Sequence, residues 1–333
     1  MIAPGGNKYD VILADRYYLR ELVESIVLED SVEEIAYRAT IRLAVTPDFP
    51  AVGPGQSCSI SGIPFGGSSM VSLLHPGVVW ECTNETVGMK HMSMTVYDRT
   101  IYLAKSEDEY LLPAGQTAGQ RLRKYAADWG IPVGSVPDTG VPLAKAVYRA
   151  QPIYSMIMSD LKETVKKGGK MYRPRMTPNG LELYELGSNA VVWTFEQNVE
   201  QLSQQRTLEG TVTQVKVLGT ETDSNELPSP VLAVEKGDTA KYGTLQRVIQ
   251  DSEIKTVAQA REAARKMISG VQETFSVTSI DINTIRAGDK VELAGSGLSL
   301  LVMSVRHELG DPGRMTMELA TPEYVQRRYY CDV

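Results

Sequence analysis

The sequence predicts a β-rich α+β protein whose strand-rich ends flank a helical middle. Three observations carry that reading. Alternation with a period of two recurs near both ends, as in Ala39, Ile41, Leu43, Val45 and again in Met315, Met317, Leu319; such a period puts alternate side chains on one face of a half-buried strand. Helical spacing of apolar residues is confined to three stretches, two of them introduced by a capping box. Gly, Pro, Asn and Asp punctuate the strand runs at short intervals.

In chain order, residues 9–45 hold strands at 11–13, 23–28 and 35–43. The acidic cluster Glu29-Asp30 with Glu33-Glu34 marks the turn between two of them and reads as a solvated hairpin tip. Residues 49–69 are dense in Pro, Gly and Ser, with a strand at 57–60 inside them. Their glycines do not match dinucleotide or P-loop spacing, and no Lys-Ser or Lys-Thr follows, which argues against a phosphate cradle. Alternation resumes at 77–81 and 89–96. Asn84-Glu85-Thr86 matches the glycosylation triplet, a chance match in a chain without a secretory signal.

The middle of the chain changes character. Thr117 with Gln120 forms a capping box, and Leu122, Tyr125, Ala126 and Trp129 make an apolar stripe that Gly130 and Pro132 end. A second helix spans 153–167, with Ile153, Ile157, Leu161 and Val165 on one face and Lys166-Lys167 at its negative dipole end. Strands at 170–176 and 181–186 follow, joined by Pro178-Asn179-Gly180. Together these predict a helix–helix–hairpin module with Trp129 and Leu161 in its core.

Strands at 191–195 and 210–218 flank the polar stretch 196–206. A hydrophilic loop covers 220–230, a strand 231–235. The third helix, about 256–269, has a capping box at Thr256 and Gln259, an inner face of Ala260, Ala263, Ala264, Met267 and Ile268, and a stop at Gly270. Residues 275–322 read as a four-stranded meander that can curl into a small barrel. Its turns are Arg286-Ala287-Gly288-Asp289, Gly295-Ser296-Gly297 and Gly310-Asp311-Pro312-Gly313. In the first of them Gly288 is free to take positive φ and Asp289 to bond its own backbone. Residues 324–333 form a polar, aromatic tail. The expected division is 1–110, 111–190 and 191–333.

At 333 residues the chain exceeds what one core usually supports. A hydrophobic fraction of 42% and a charged fraction of 23% describe an ordinary globular composition. With 34 basic against 41 acidic residues the net charge is -7, which disfavours a wide nucleic-acid surface. No apolar run approaches a membrane span, and the first residues lack a signal peptide, so synthesis and assembly are expected in the cytoplasm. Three widely spaced cysteines, Cys58, Cys82 and Cys331, fit reduced thiols better than a disulfide framework. His75, His91 and His307 have no partner at metal-ligand spacing, and no nucleophile elbow, zinc helix or Cys-x-x-Cys occurs. That absence does not exclude an enzyme but moves the weight towards a structural or binding protein, and no catalytic, cofactor-binding or metal residue is singled out.

Several motifs in sequence resemble a known family. They are Met94-Thr-Val-Tyr-Asp-Arg-Thr-Ile-Tyr-Leu, Thr117-Ala-Gly-Gln, Ala127-Asp-Trp-Gly-Ile-Pro and the run from Lys162 to Gly-Lys-Met-Tyr172. Ala240-Lys-Tyr-Gly-Thr-Leu-Gln and Ile285-Arg-Ala-Gly-Asp-Lys-Val complete the series. In this order they resemble the baseplate hub proteins of contractile phage tails and phage-tail-like bacteriocins, the defective-prophage hubs related to late control protein D. The resemblance implies two small, pseudo-equivalent antiparallel β-barrels with an α/β module between them. It further implies a homotrimer whose six barrels adapt a sixfold tail tube to a threefold central spike. The implied partners are further copies of the chain, the tail tube or tube-initiator protein, the central spike, and tape-measure and other baseplate proteins. DNA at most passes through the channel, and no stable membrane insertion is implied. The loop at 50–69 is richer in Gly and Pro than the family pattern. The alternative, a tail-associated carbohydrate- or peptidoglycan-cleaving enzyme, needs a spare segment for a catalytic domain, and none can be isolated. A β-rich ligand-binding module is a third reading.

Overall fold

Strands dominate both ends of the chain, and their burial follows the alternation read in the sequence. In the computed structural model, which describes residues 8–196, 199–219, 228–251, 254–294 and 297–331, the first stretch supplies seven strands. They are β1 (Tyr9–Leu13), β2 (Tyr17–Tyr18), β3 (Val23–Ser31), β4 (Arg38–Ala44), β5 (Ser57–Gly62), β6 (Val71–Val87) and β7 (Met89–Asp98). Ala39, Ile41 and Leu43 on β4 are buried opposite Val96, Met94 and Met92 on β7, each pair directly across the ladder. Each large apolar side chain removed from water in this way contributes about 1.5–3 kcal/mol.

The middle stretch holds α1 (Ile101–Lys105), β8 (Glu107–Leu112), α2 (Ala118–Asp128), β9 (Ala146–Pro152), α3 (Ile153–Lys166), β10 (Tyr172–Thr177) and β11 (Gly180–Glu185). The Thr117 capping box forms as expected, with Gln120 N–H donating to Thr117 Oγ1 and Thr117 N–H to Gln120 Oε1. Gly130 takes φ +59° beyond the helix, and Gly180 takes φ +114° in the hairpin turn. Leu122, Tyr125, Ala126 and Leu161 are buried in one core with Leu181 and Leu183 of the hairpin. Trp129 is not: it is 38% exposed. It occupies the C-cap of α2, where φ and ψ have already left helical values, so the stripe's periodicity no longer governs where its ring goes.

Next come β12 (Trp193–Phe195) and β13 (Val199–Thr207). The residues expected as a polar connector at 196–206 are therefore mostly strand. Gln204–Thr274 form a compact unit of their own; the other unit comprises Met1–Ser203 with Phe275–Val333. The smaller unit contains β14 (Gln214–Leu218), β15 (Val231–Lys236), α4 (Thr239–Tyr242), β16 (Gln246–Gln250) and α5 (Val257–Met267). Its core joins Val215 and Val217 of β14 to Ala260 and Ala264 of α5. The capping box at Thr256 forms, but α5 closes at Ile268, which turns to extended backbone two residues before Gly270. Most of the hydrophilic loop at 220–230 and part of the turn at 295–297 lie outside the described residues.

The last stretch carries β17 (Gln272–Ile280), β18 (Lys290–Leu293), β19 (Leu298–Leu309), β20 (Arg314–Ala320) and α6 (Pro322–Val325). All four expected strands are present, but they do not pair as a simple meander. Thirteen strands join in one sheet along the path β13-β17-β20-β19-β3-β4-β7-β6-β5-β1-β2, with β18 on β19 and β12 on β18. β19 is long enough to serve two partners on one edge. Its first four residues pair with β18 and residues 304–309 pair with β3, antiparallel in both cases. The β3–β19 ladder, with His307 opposite Leu28 and Val305 opposite Asp30, makes the strands of both chain ends one continuous sheet.

Two hydrophobic cores lie along that sheet. One gathers Val11, Leu13, Ile26, Leu28 and Ile60 from the first strands, the other Phe275, Val277, Val291, Val302 and Leu319 from the last. The tail is not a solvated appendage: Val325 and Tyr330 are buried in the α2–α3 core, and Tyr330 donates to the carbonyl of Tyr172 at 2.7 Å.

Candidate functional site: a buried ionic junction

The acidic run expected as a solvated tip splits in the folded chain. Glu33 and Glu34 are exposed, whereas Asp30, on the inward register of β3, is 3% exposed. An isolated carboxylate at such a site would cost far more than the fold could offset, so it must meet cations. It meets two. Arg173, the second residue of β10, reaches Asp30 Oδ1 at 3.0 Å, and Arg286, in the turn between β17 and β18, reaches Oδ2 at 2.5 Å. The Ala287 N–H adds a third donor at 3.2 Å.

Each guanidinium is held in turn. Arg173 donates to the carbonyls of Ala287, Ser31 and Glu34. The Arg286 guanidinium lies 3.6 Å from the centre of the Tyr37 ring, a stacked arrangement that suits the flat, weakly hydrated cation. Beside them Arg175 donates to the Ala287 carbonyl and to Asp289 Oδ1, and stacks on Tyr184 at 3.7 Å. Tyr184 also donates to Asp289, whose second oxygen accepts from the Arg286 N–H within the turn. That last bond is the turn chemistry expected of Asp289, and Gly288 takes φ +88° beside it.

Electrostatics fix the charges. Burial alone pushes the Asp30 carboxyl up, but Arg173, Arg286 and Arg175 together outweigh it and hold the group well below the usual carboxylate range. Burial likewise lowers Arg286, and Asp30 more than restores it, so the guanidinium is held above its ordinary value. Tyr184 is pushed up to about 12 by burial and by Asp289. Asp30 and Arg286 are thus held in their charged forms, and Tyr184 in its neutral form. Its chemistry is cohesion: it ties β3, the β10–β11 hairpin and the 286–289 turn, whose ion-paired residues lie 143 and 256 positions apart.

A second buried pair stiffens the helical core. Arg121 of α2 donates to Asp160 of α3 at 2.6 Å with both side chains enclosed, and Tyr148 and Tyr125 donate to the same carboxylate at 2.7 and 3.0 Å. The sequence contained no local sign of either cluster, because opposite charges met only after folding.

The three histidines go to three different settings. His75 is exposed, His91 Nδ1 lies 2.9 Å from Glu24, and His307 is enclosed between Asp281 at 2.6 Å and the Ile285 carbonyl at 2.9 Å. Among the described residues no three His, Cys, Asp or Glu gather as metal ligands. Cys58 is packed in the first core, where burial pushes its thiol up to about 12, so it is a poor nucleophile at neutral pH. A hollow of about 220 Å³ lies beside β12, lined by Val191, Trp193, Ile285 and Val291 among others. No helix among the described residues is long and apolar enough to cross a membrane.

The chain is 27% identical to the uncharacterized protein YqbQ of Bacillus subtilis (strain 168) over 206 residues, 59% of this chain and 61% of that one. It therefore spans less than two thirds of that relative's length. It is 26% identical to the phage-like element PBSX protein XkdQ of the same organism over 242 residues, covering 68% of this chain and 73% of XkdQ. The fold is that of the 43 kDa tail protein of prophage MuSo2 from Shewanella oneidensis, with TM-score 0.72 at 13% identity over 95% of this chain and 99% of that one. It also matches the E. coli c3393 protein, a type VI secretion component described as similar to the T4 bacteriophage tail proteins gp27 and gp5. There the TM-score is 0.54 at 10% identity, over 91% of this chain and 74% of that one. The YqbQ-like family model matches residues 73–321, well over half of the sequence, and the chain belongs to that family.

Proposed function

We propose that the chain is a structural component of a phage tail or tail-like particle, and that within it the chain is the baseplate hub. The observation that carries this reading is the likeness of fold along 95% of the chain to a prophage tail protein. Kinship with a PBSX protein and likeness to a secretion-system component described as structurally similar to tail proteins point the same way. In this reading the two sheet cores at the chain ends belong to two pseudo-equivalent barrels, with residues 111–190 as the α/β module between them. Three copies then close a ring of six barrels around a channel. Each subunit presents two equivalent surfaces, so a threefold ring can seat a sixfold tube on one side and a threefold spike on the other. The neighbours are the tube or tube-initiator protein, the central spike, and tape-measure and other baseplate proteins, assembled in the host cytoplasm. The role is mechanical and needs neither catalytic residue nor cofactor.

The test is the mass of the purified chain by sedimentation, followed by electron microscopy of the particle. The expected result is a trimer with six barrel densities about an open channel. A stable monomer that joins no tail assembly, or a ring of six single barrels from six chains, would overturn the hub assignment.

A further inference from the structure

Among the described residues, one face of the smaller unit's sheet is left uncovered. The strands run in the order β15-β14-β16, and α5 packs against β14 and β15. Val215 and Val217 share a core with α5, and Glu235 is ion-paired with Arg261 and Arg265 of that helix. Side chains alternate along a strand, so their neighbours project from the opposite face. The register arranges nine of them in three rows: Val231–Leu218–Gln250, Val234–Lys216–Val248 and Lys236–Gln214–Gln246. Val231, Val234 and Val248 are 49%, 44% and 49% exposed. The nine positions include two lysines and no carboxylate.

We propose that this face docks an acidic amphipathic helix of a partner protein. Shape and charge both support that occupant. A helix is one of the elements that can cover the free face of such a sheet. Strands of five residues are about 17 Å long, and three of them span about 10 Å between outer axes. One helix is about 10 Å wide, and about eleven residues of it cover that length. The eleven residues of α5 already fit the opposite face in this way. The valines and Leu218 call for an apolar stripe on the incoming helix, and Lys216 at the centre with Lys236 at a corner calls for carboxylates flanking it. A second copy is a poor occupant. A twofold axis through this face would set lysine against lysine with no carboxylate between them. The proposal is independent of the hub reading, since it depends only on this unit's own surface.

Calorimetry with the full chain tests it, using two stapled twelve-residue helices of identical leucine stripe, one flanked by Glu and one by Lys. The Glu peptide is expected to bind one to one and to weaken as salt rises. Val248→Asp should weaken it by roughly tenfold. Lys216→Glu combined with Lys236→Glu should transfer the preference to the Lys peptide, a gain that a misfolded variant cannot produce. Equal binding of both peptides, binding of neither, or a charge-reversed chain that keeps its preference for Glu would overturn the proposal. So would a self-associated chain that Val248→Asp dissociates, which would make a second copy the occupant. Slow maleimide labelling of Val248→Cys in the free chain would overturn it as well, because the rest of the chain would then cover the face.

Discussion

Replacing Asp30 with asparagine preserves its volume and removes the charge that Arg173 and Arg286 face. Two guanidiniums are then left enclosed without the carboxylate that neutralises them, so Asp30→Asn should destabilise the chain by about 3–5 kcal/mol. Urea unfolding followed by fluorescence reads that loss; a change below about 1 kcal/mol would mean that the arginines find water. A second buried acid acts with the opposite sign. Asp98 accepts from the Tyr37 N–H and from the Thr100 N–H, yet burial outweighs these donors and pushes its carboxyl up to about 6. Its unfolded value is about 3.9. The folded state thus favours the neutral acid, and the associated stability is present below about pH 4 and lost as pH rises through about 6. The Asp30 contribution is present above about pH 4 and declines as pH falls below it, because that group's folded value is depressed. That difference between folded and unfolded Asp98 corresponds to about 3 kcal/mol. Asp98→Asn should therefore flatten the stability profile between pH 4 and 6, measured as urea midpoints. An unchanged slope would show that the donors keep the carboxylate charged.

At the scale of elements, the capping boxes make a sharp test of local signals. Thr117→Ala removes the acceptor for the Gln120 N–H and should cost about 1 kcal/mol, with Thr117→Ser recovering most of it. Thermal unfolding of the pair of variants measures this. Equal losses in both would point to packing of the Thr117 methyl instead of the cap. Such caps, the Gly130 and Gly180 turns and the strands of the two cores were legible because each is specified within about ten residues. Several features were not. β13 and β16 carry no strong alternation, β13 because it is exposed over most of its length, so its polar sequence reads like a connector. Trp129 satisfies a helical period that the helix itself no longer follows at its C-cap. Asp30 sits in an acidic run read as a solvated tip, which holds for the exposed Glu33 and Glu34. Glu29 and Asp30 both lie in β3, Glu29 half-buried against Arg38 and Arg306 and Asp30 enclosed. Its partners lie so far away along the chain that no local pattern could assign them. The β3–β19 pairing was hidden for the same reason: alternation tells which face of a strand is buried, but not which strand lies beside it.

For the whole molecule, the smaller unit bears the marks of an insertion. It has its own core of Val212, Val215, Val217, Ala260 and Ala264, while the three other cores among the described residues belong to the larger unit. The two ends of the insertion also meet. Gln204 and Arg206, near its start, both bond Glu273 near its end, Arg206 Nε at 2.7 Å from Glu273 Oε1. A segment whose ends touch and whose core is its own can be removed without stretching the chain that remains. Replacing residues 208–271 with a short Gly- and Asn-containing hairpin turn should therefore leave the larger unit folded. Asp30, Arg173 and Arg286 all lie outside the excised segment, so the ionic junction offers an internal gauge. The shortened chain should retain a cooperative unfolding transition, and Asp30→Asn should cost it the same few kcal/mol as in the full chain. If the shortened chain unfolds without cooperativity, or if the Asp30→Asn penalty vanishes from it, the smaller unit is part of what holds the sheet together.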